Sequence, residues 1–228
     1  MRKIIVGAFV SLDGVMQAPG GPQEDPTGGF EHGGWIPPLW DDEAGNAVAE
    51  MMSEPYDLLL GRTTYDIFAA HWPHFQTDPS QSDFDAQSAG IADTFNRITK
   101  YVATHRPDSL DWQNSQSLGA DVAATLRELK KQDGPNLLTQ GSTDLLQLLF
   151  AHDLVDELRL LIFPLLLGKG KRLFGDGAMP AAFALSKARI SPNGILIAAY
   201  TRAGDVRTGS FAMENPSDAE IERRRTLK

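Results

Sequence analysis

Three short stretches of the 228-residue chain carry groups suited to holding an anion, and each directly follows an apolar run. Leu60-Gly61-Arg62-Thr63-Thr64 joins a glycine, which lets a ligand approach the backbone, to a guanidinium and two hydroxyls. Thr104-His105-Arg106-Pro107 offers a hydroxyl and a second guanidinium, able to grip a phosphate through two parallel hydrogen bonds. Thr139-Gln140-Gly141-Ser142-Thr143 is a glycine and hydroxyl turn. A charge-assisted hydrogen bond contributes about 1.5–3 kcal/mol, so several converging on one phosphorylated ligand would give useful affinity. Each stretch also has a plainer reading, as a simple turn or a solvated surface charge.

Proton chemistry has fewer candidates. Asp13 follows the first apolar run, where it could orient a substrate or relay a proton; equally, Asp13-Gly14 is a turn whose carboxylate caps a nearby amide. Asp42 is a candidate proton donor, or only a favourable partner for a helix dipole. Gln17, Trp35 and Thr139 are candidate substrate contacts; Trp35 would stack on a planar ring or plug its loop onto the core. Lys169, Lys171 and Arg172 form either a basic rim or a solvated turn. His71-Trp72-Pro73-His74 has two histidines three apart and no clear third ligand, so no metal is expected.

The elements that must position these residues alternate. Residues 2–10 predict a strand, 41–53 a helix with Asp41, Asp42 and Glu43 at its positive end, and Leu58-Leu59-Leu60 a second strand. A helix over 63–72, an acidic, Ser-rich insertion at 76–90, a strand at 100–104 and a helix stopping at Gly134-Pro135 follow. Asn136 to Thr139 predicts another strand, and the segment from Ser142 a helix capped by hydroxyl and carboxylate. These strands lack two-residue alternation, as in a parallel sheet covered on both faces. Residues 155–168 read as a further strand, and Asn193-Gly194 between 182–190 and 194–202 predicts an antiparallel hairpin. One α/β domain over 1–213 results, with a polar tail or short helix at 214–228 opened by Ser217 and Glu220 spaced as a capping box.

The first connection does not fit this regularity. SLDGVMQAPGGPQEDPTGGFEHGGWIPP (11–38) holds seven of the 21 glycines and five of the 14 prolines, too many for a helix or central strand. Phe30 and Trp35 would give it an apolar underside, as in a lid over a ligand.

Composition narrows the classes. With no cysteine, disulfides, thiolate nucleophiles and Cys-ligated zinc are out. A net charge of −9 argues against nucleic acid or an anionic membrane as the main partner. No apolar run reaches membrane-spanning length and no apolar signal segment opens the sequence, so the expected address is cytoplasmic. Neither Gly-x-Gly-x-x-Gly nor a Walker-type Gly-Lys-Ser/Thr occurs, which removes a Rossmann dehydrogenase and a phosphate-loop NTPase.

Over residues 1–203 the chain resembles the dihydrofolate reductase-like superfamily, specifically the C-terminal reductase domain of riboflavin-biosynthesis proteins and its free-standing relatives. The resemblance is carried by Ser11-Leu12-Asp13-Gly14, by Leu60 to Tyr65, by Gly141-Ser142 and above all by HDLVDELRLLIFPLLLGKGKRLF (152–174). It implies a three-layer α/β/α fold around a mixed, mostly parallel sheet with antiparallel C-terminal strands. It further implies NADPH as hydride donor, a small-molecule substrate and a homodimer. By motif, Gly61, Arg62, Thr63 and Thr64 would meet the cofactor phosphates, Thr104, His105 and Arg106 would lie near its adenosine phosphate, and Gly141, Ser142 and Thr143 near the pyrophosphate. Two departures bear on the substrate. Riboflavin reductases tend to keep a carboxylate where this chain has Thr139, and an aspartate four residues after the helix-opening threonine, where it has Phe68. No deaminase activity is expected of these residues, since no His-x-Glu with a Pro-Cys-x-x-Cys partner occurs among them. The two departures count against the aminopyrimidine substrate itself, while its reduction is the nearest described activity that the resemblance implies. Alternatives are dihydrofolate-type reduction, with Asp41, Asp42 or Glu43 as the loosely matched pterin-binding acid, and a nucleotide-binding module without turnover.

Overall fold

The computed structural model describes residues 1–82, 84–175, 178–212 and 214–227. Its strands are β1 (Ile4–Ser11), β2 (Tyr56–Gly61), β3 (Lys100–Ala103), β4 (Ser115–Ser117), β5 (Asn136–Gln140), β6 (Glu157–Phe163), β7 (Phe183–Ile190) and β8 (Leu196–Arg202). Helices α1 (Asp42–Met51), α2 (Arg62–His71), α3 (Ala86–Arg97), α4 (Val122–Lys131), α5 (Thr143–Ala151) and α6 (Asp218–Arg225) connect or follow them. One eight-stranded sheet runs β4-β3-β2-β5-β1-β6-β8-β7. Pairs from β4 to β6 are parallel, and β8 joins both β6 and β7 antiparallel.

Two cores follow from burying both faces. On one side Ala44, Val48 and Met51 of α1, Tyr65 of α2 and Phe95 of α3 pack with Leu58 and Leu60. On the other, Leu126 and Leu129 of α4 and Leu145, Leu146 and Leu149 of α5 pack with Ile4, Val6 and Leu59. Adjacent residues of one strand thus enter opposite cores, and β1 and β2 are apolar at nearly every position. This is the expected three-layer α/β/α arrangement.

The two ends of the sheet differ. At the amino ends of the central strands, buried Arg2 pairs with Asp57 and donates from Nε to the Pro135 carbonyl. Breaking such a pair would strand a buried charge, so that end is closed. The chain from β1 to β2 passes over β5, and the chain from β5 to β6 passes over β1. Such reversals open a crevice at the carboxyl ends of these strands.

Three expectations need correction. The insertion at 76–90 gives way at Ala86 to α3, capped by the Asp85 carboxylate on the Ser88 amide at 2.8 Å. Polar β4 has no counterpart in the expected elements, because Ser115-Gln116-Ser117 lacks an apolar signal at an outer edge. The strand foreseen over 155–168 ends at Phe163, since Pro164 cannot donate to the ladder and the chain there leaves the sheet. The tail carries α6, with the Ser217 hydroxyl accepting from the Glu220 amide at 3.3 Å and no buried residue.

Candidate functional site

A cleft with about 1030 Å³ of empty space, partly open to solvent, lies at that crevice. Its wall includes Gly7, Ala8 and Phe9 of β1, the turn from β2 into α2, the turn from β5 into α5, and part of the 11–38 loop. Gly61, Arg62, Thr63 and Thr64 line it, as do Gly141, Ser142 and Thr143. The structure therefore brings together two of the three stretches singled out in the sequence.

Their local geometry is that of an anion cradle. Helices α1, α3, α4 and α6 each have a side chain accepting from a first-turn amide, from Asp41, Asp85, Asp121 and Ser217. Helices α2 and α5 have none. These two helices open onto the cleft, so their first amides and positive dipole ends remain available to a ligand. The Ser142 hydroxyl, expected to cap α5, instead accepts from the Gly61 amide at 2.6 Å and ties the two turns together. Gly141 and Ser142 both have positive φ, +91° and +69°, which turns the chain sharply from β5 into α5. A Cβ on Gly61 would lie 2.8 Å from the Ser142 Cβ, so only glycine permits this approach. The cradle fits the phosphates of a nucleotide cofactor.

The third stretch stands apart from the wall. The Thr104 hydroxyl accepts from the Arg106 amide at 3.0 Å, and His105 is exposed. Exposed Arg106 reaches Asp66 at 3.3 Å, and Asp66 also holds Arg62 at 2.8 Å. Arg62 further donates to the Ser109 hydroxyl at 2.8 Å and the Arg106 carbonyl at 3.1 Å. Arg106 is thus linked to the cleft through Asp66 and Arg62.

Neither acid expected to move protons lines the wall. Asp13 accepts from the Ser11 hydroxyl, from the Leu167 and Gly168 amides at 3.1 and 2.8 Å, and has Arg172 at 3.5 Å. The Ser11 hydrogen bond, opposed by partial burial and aided by those amides, holds its carboxyl down at about 2. A group so reluctant to protonate is a poor acid near neutrality; it caps amides instead. Asp42 is exposed in the first turn of α1. Its neighbours are committed too, Asp41 to the Ala44 and Asn193 amides and Glu43 to Arg189.

The three expected substrate contacts also have structural partners. Gln17 lines the cleft, but its Nε2 donates to the Asp25 and Thr27 carbonyls, both at 2.9 Å, and its Oε1 accepts from the Lys171 amide at 3.0 Å. Trp35 is buried edge-on against Phe163 with ring centroids 5.3 Å apart, its indole donating to the Gln17 carbonyl at 2.9 Å. It plugs the loop onto the core. Thr139 is fully buried and donates to the Gly141 carbonyl at 2.9 Å, bracing the glycine turn from behind.

Sequence reasoning missed Glu24 and Asp25 in the wall and gave Gln140 and Asp144 no role of their own at the site, nor apolar Met16, Met51, Ile67 and Phe68. Glu24 and Asp25 sit in a loop without periodicity, so no spacing rule could aim them. Asp25 pairs with Lys171 at 2.6 Å; burial would raise its carboxyl, but bonds from Lys171 and Thr27 bring it below the ordinary value. Glu24 goes the other way, pushed up chiefly by burial.

Comparison with known proteins gives a consistent picture. The family model described as the RibD C-terminal domain matches residues 2–197. The uncharacterized protein YyaP of Bacillus subtilis is 24% identical over 199 residues, 87% of this chain and 94% of that protein. A protein from Shewanella sp. PV-4, provisionally assigned to riboflavin biosynthesis, superposes with a TM-score of 0.59 at 20% identity, covering 88% of this chain and 99% of that one. A diaminohydroxyphosphoribosylaminopyrimidine deaminase/5-amino-6-(5-phosphoribosylamino)uracil reductase from Thermotoga maritima superposes with a TM-score of 0.55 at 15% identity. There the match covers 89% of this chain and 57% of the larger protein. At such identities the two superpositions speak to the fold.

Proposed function

The chain belongs to the RibD C-terminal domain family, and from that premise we propose that it is an NADPH-dependent reductase of a small heterocyclic substrate. The nearest described activity is reduction of 5-amino-6-(5-phosphoribosylamino)uracil, a step of riboflavin biosynthesis. The reading rests above all on one observation: the two helices without a side-chain cap are the two that open onto the cleft.

In this proposal the amides and hydroxyls of Thr63, Thr64, Ser142 and Thr143, with the Arg62 guanidinium, hold the cofactor phosphates. Gly61 and Gly141 let the backbone approach them. Thr104, His105 and Arg106 serve the adenosine phosphate from outside the wall, which requires Arg106 to leave Asp66. When bound, the cofactor supplies a hydride. Gly7 gives the wall a position without a side chain, and Phe9, Met51, Ile67 and Phe68 exclude water. Homodimeric assembly and a cytoplasmic address belong to the same proposal. No helix among the described residues is long and apolar enough to cross a membrane.

Calorimetric titration with NADPH and NADH tests the first layer. NADPH should bind well below millimolar; if neither nucleotide does, leaving at most about 4 kcal/mol of binding free energy, the cofactor reading fails. Loss of NADPH absorbance with a panel of pterins, pyrimidine ribosides and quinones then separates a reductase from a binding module. For dihydrofolate-type reduction, Asp41, Asp42 and Glu43 offer no support, since none lines the cleft.

A further inference from the structure

Hydride addition leaves an electron pair on nitrogen or oxygen that needs a proton, and neither Asp13 nor Asp42 is placed to give it. The ionisable groups in the wall are Glu24, Asp25, Arg62, Asp144 and Lys171. Arg62 is paired with Asp66 and Asp25 with Lys171. Asp144 stands in the first turn of α5, within the anion cradle itself.

Glu24 differs from all of these. It lines the same cleft from the loop that leaves β1, a different segment of the chain from the turns after β2 and β5 that form the cradle. Its Oε2 accepts from the Gly20 and Gly21 amides at 2.7 and 3.2 Å, which fixes the side chain against its own loop. No hydrogen bond among the described residues reaches Oε1, and no cation pairs with the group. A Cβ on Gly20 would stand 3.2 Å from Oε2, a tight contact, whereas one on Gly21 would meet nothing within 4 Å.

We propose that Glu24 is the catalytic acid of this cleft, donating its carboxyl proton to the nitrogen or oxygen of a polarised C=N or C=O bond in the substrate. The inference rests on the reductase reading above. The balance is simple. Hydride from NADPH forms a C–H bond at the substrate carbon as the π bond breaks, and the displaced electron pair takes the Glu24 proton. The substrate gains two electrons, NADPH becomes NADP⁺, and water reprotonates the carboxylate. Burial supplies the matching acidity: it raises Glu24 above an ordinary glutamate, neighbouring Asp25 adds to the rise, and the two glycine amides only partly oppose it.

Glu24→Gln is the decisive variant, because a carboxamide oxygen can still accept from Gly20 and Gly21 and keep the loop clasped. With saturating NADPH and a substrate from the panel above, turnover in the wild type should fall about tenfold per pH unit above the Glu24 midpoint, where the acid form is lost. In E24Q turnover should be at least tenfold lower and should no longer show that limb, with NADPH affinity within about threefold of wild type. The free protein gives an independent readout: the Glu24 side-chain carbon, assigned by its loss in E24Q, should titrate in a ¹³C spectrum above about 4.3. Turnover with an unchanged pH limb in E24Q, or a midpoint at or below that of ordinary glutamate, overturns the proposal alone. Failure to bind NADPH, or to reduce any panel member, overturns the reductase reading and this proposal with it.

Discussion

Carboxylates close to one another in sequence do opposite work here, and hydrogen-bond partners decide which. Asp13 is surrounded by donors from the segment after β6: the Leu167 and Gly168 amides, with Arg172 donating to its own carbonyl. It therefore clamps two segments more than 150 residues apart in the chain. Replacing it by asparagine should cost about 1–3 kcal/mol of stability near neutrality. The sign with pH follows from linkage: a carboxyl lowered from 3.8 to about 2 stabilises the fold fully above its unfolded value. That contribution is lost as pH falls through the folded one. Urea midpoints of wild type and D13N should thus converge between pH 4 and pH 2. A constant gap across that range would show that the asparagine acts by shape rather than charge.

At the scale of elements, regular periodicity was readable and register at the ligand was not. Leu58-Leu59-Leu60 and the Asn193-Gly194 turn announced β2 and the final hairpin, because apolar runs and positive-φ turns are local properties of the chain. Strand β4 escaped because pairing with β3 alone holds three polar residues. The anion stretches were legible as glycine and hydroxyl clusters, yet the key feature, Ser142 abandoning its cap to hold the Gly61 amide, depends on two turns 81 residues apart. That junction can be tested with a matched pair of alanines. Gly61→Ala forces its new Cβ onto Ser142, and overpacking of this kind costs about 1–3 kcal/mol. It should weaken NADPH at least tenfold by spreading the cradle. Gly90→Ala lies in α3 with nothing within 4 Å of the added carbon, and should stabilise by up to about 1 kcal/mol while leaving affinity unchanged. Calorimetry and denaturant titration on both variants check the contrast; equal affinity in both would remove the cradle's role.

Across the whole molecule, the first loop is stitched to the segment after β6 as well as to itself. Met16 donates to the Lys171 carbonyl and Leu173 to that of Gly14, both at 2.9 Å, while Lys171 grips Asp25. Gln17 is the node, only 4% exposed, with three side-chain hydrogen bonds and the Trp35 indole on its carbonyl. The lid anticipated over 11–38 is consequently fixed at its base and tied again at Asp25 and Thr27, and its exposed residues between these ties are Pro22, Gln23 and Pro26. Gln17→Ala leaves two carbonyls and an amide without their partner, each worth about 1–3 kcal/mol if it stays dry. Local opening should become at least tenfold more frequent, since 1.4 kcal/mol suffices for that factor. A glutamate-specific protease cutting at Glu24 or Glu31 reads this directly, because cleavage follows the open population when reclosing is fast. Cutting should accelerate at least tenfold in Q17A and slow in the wild type once NADPH and substrate are bound. Removing residues 214–228, whose helix buries no side chain, should change neither rate. If Q17A resists the protease as well as wild type, the hold on the loop lies with Trp35, Phe30 and the apolar core beneath them.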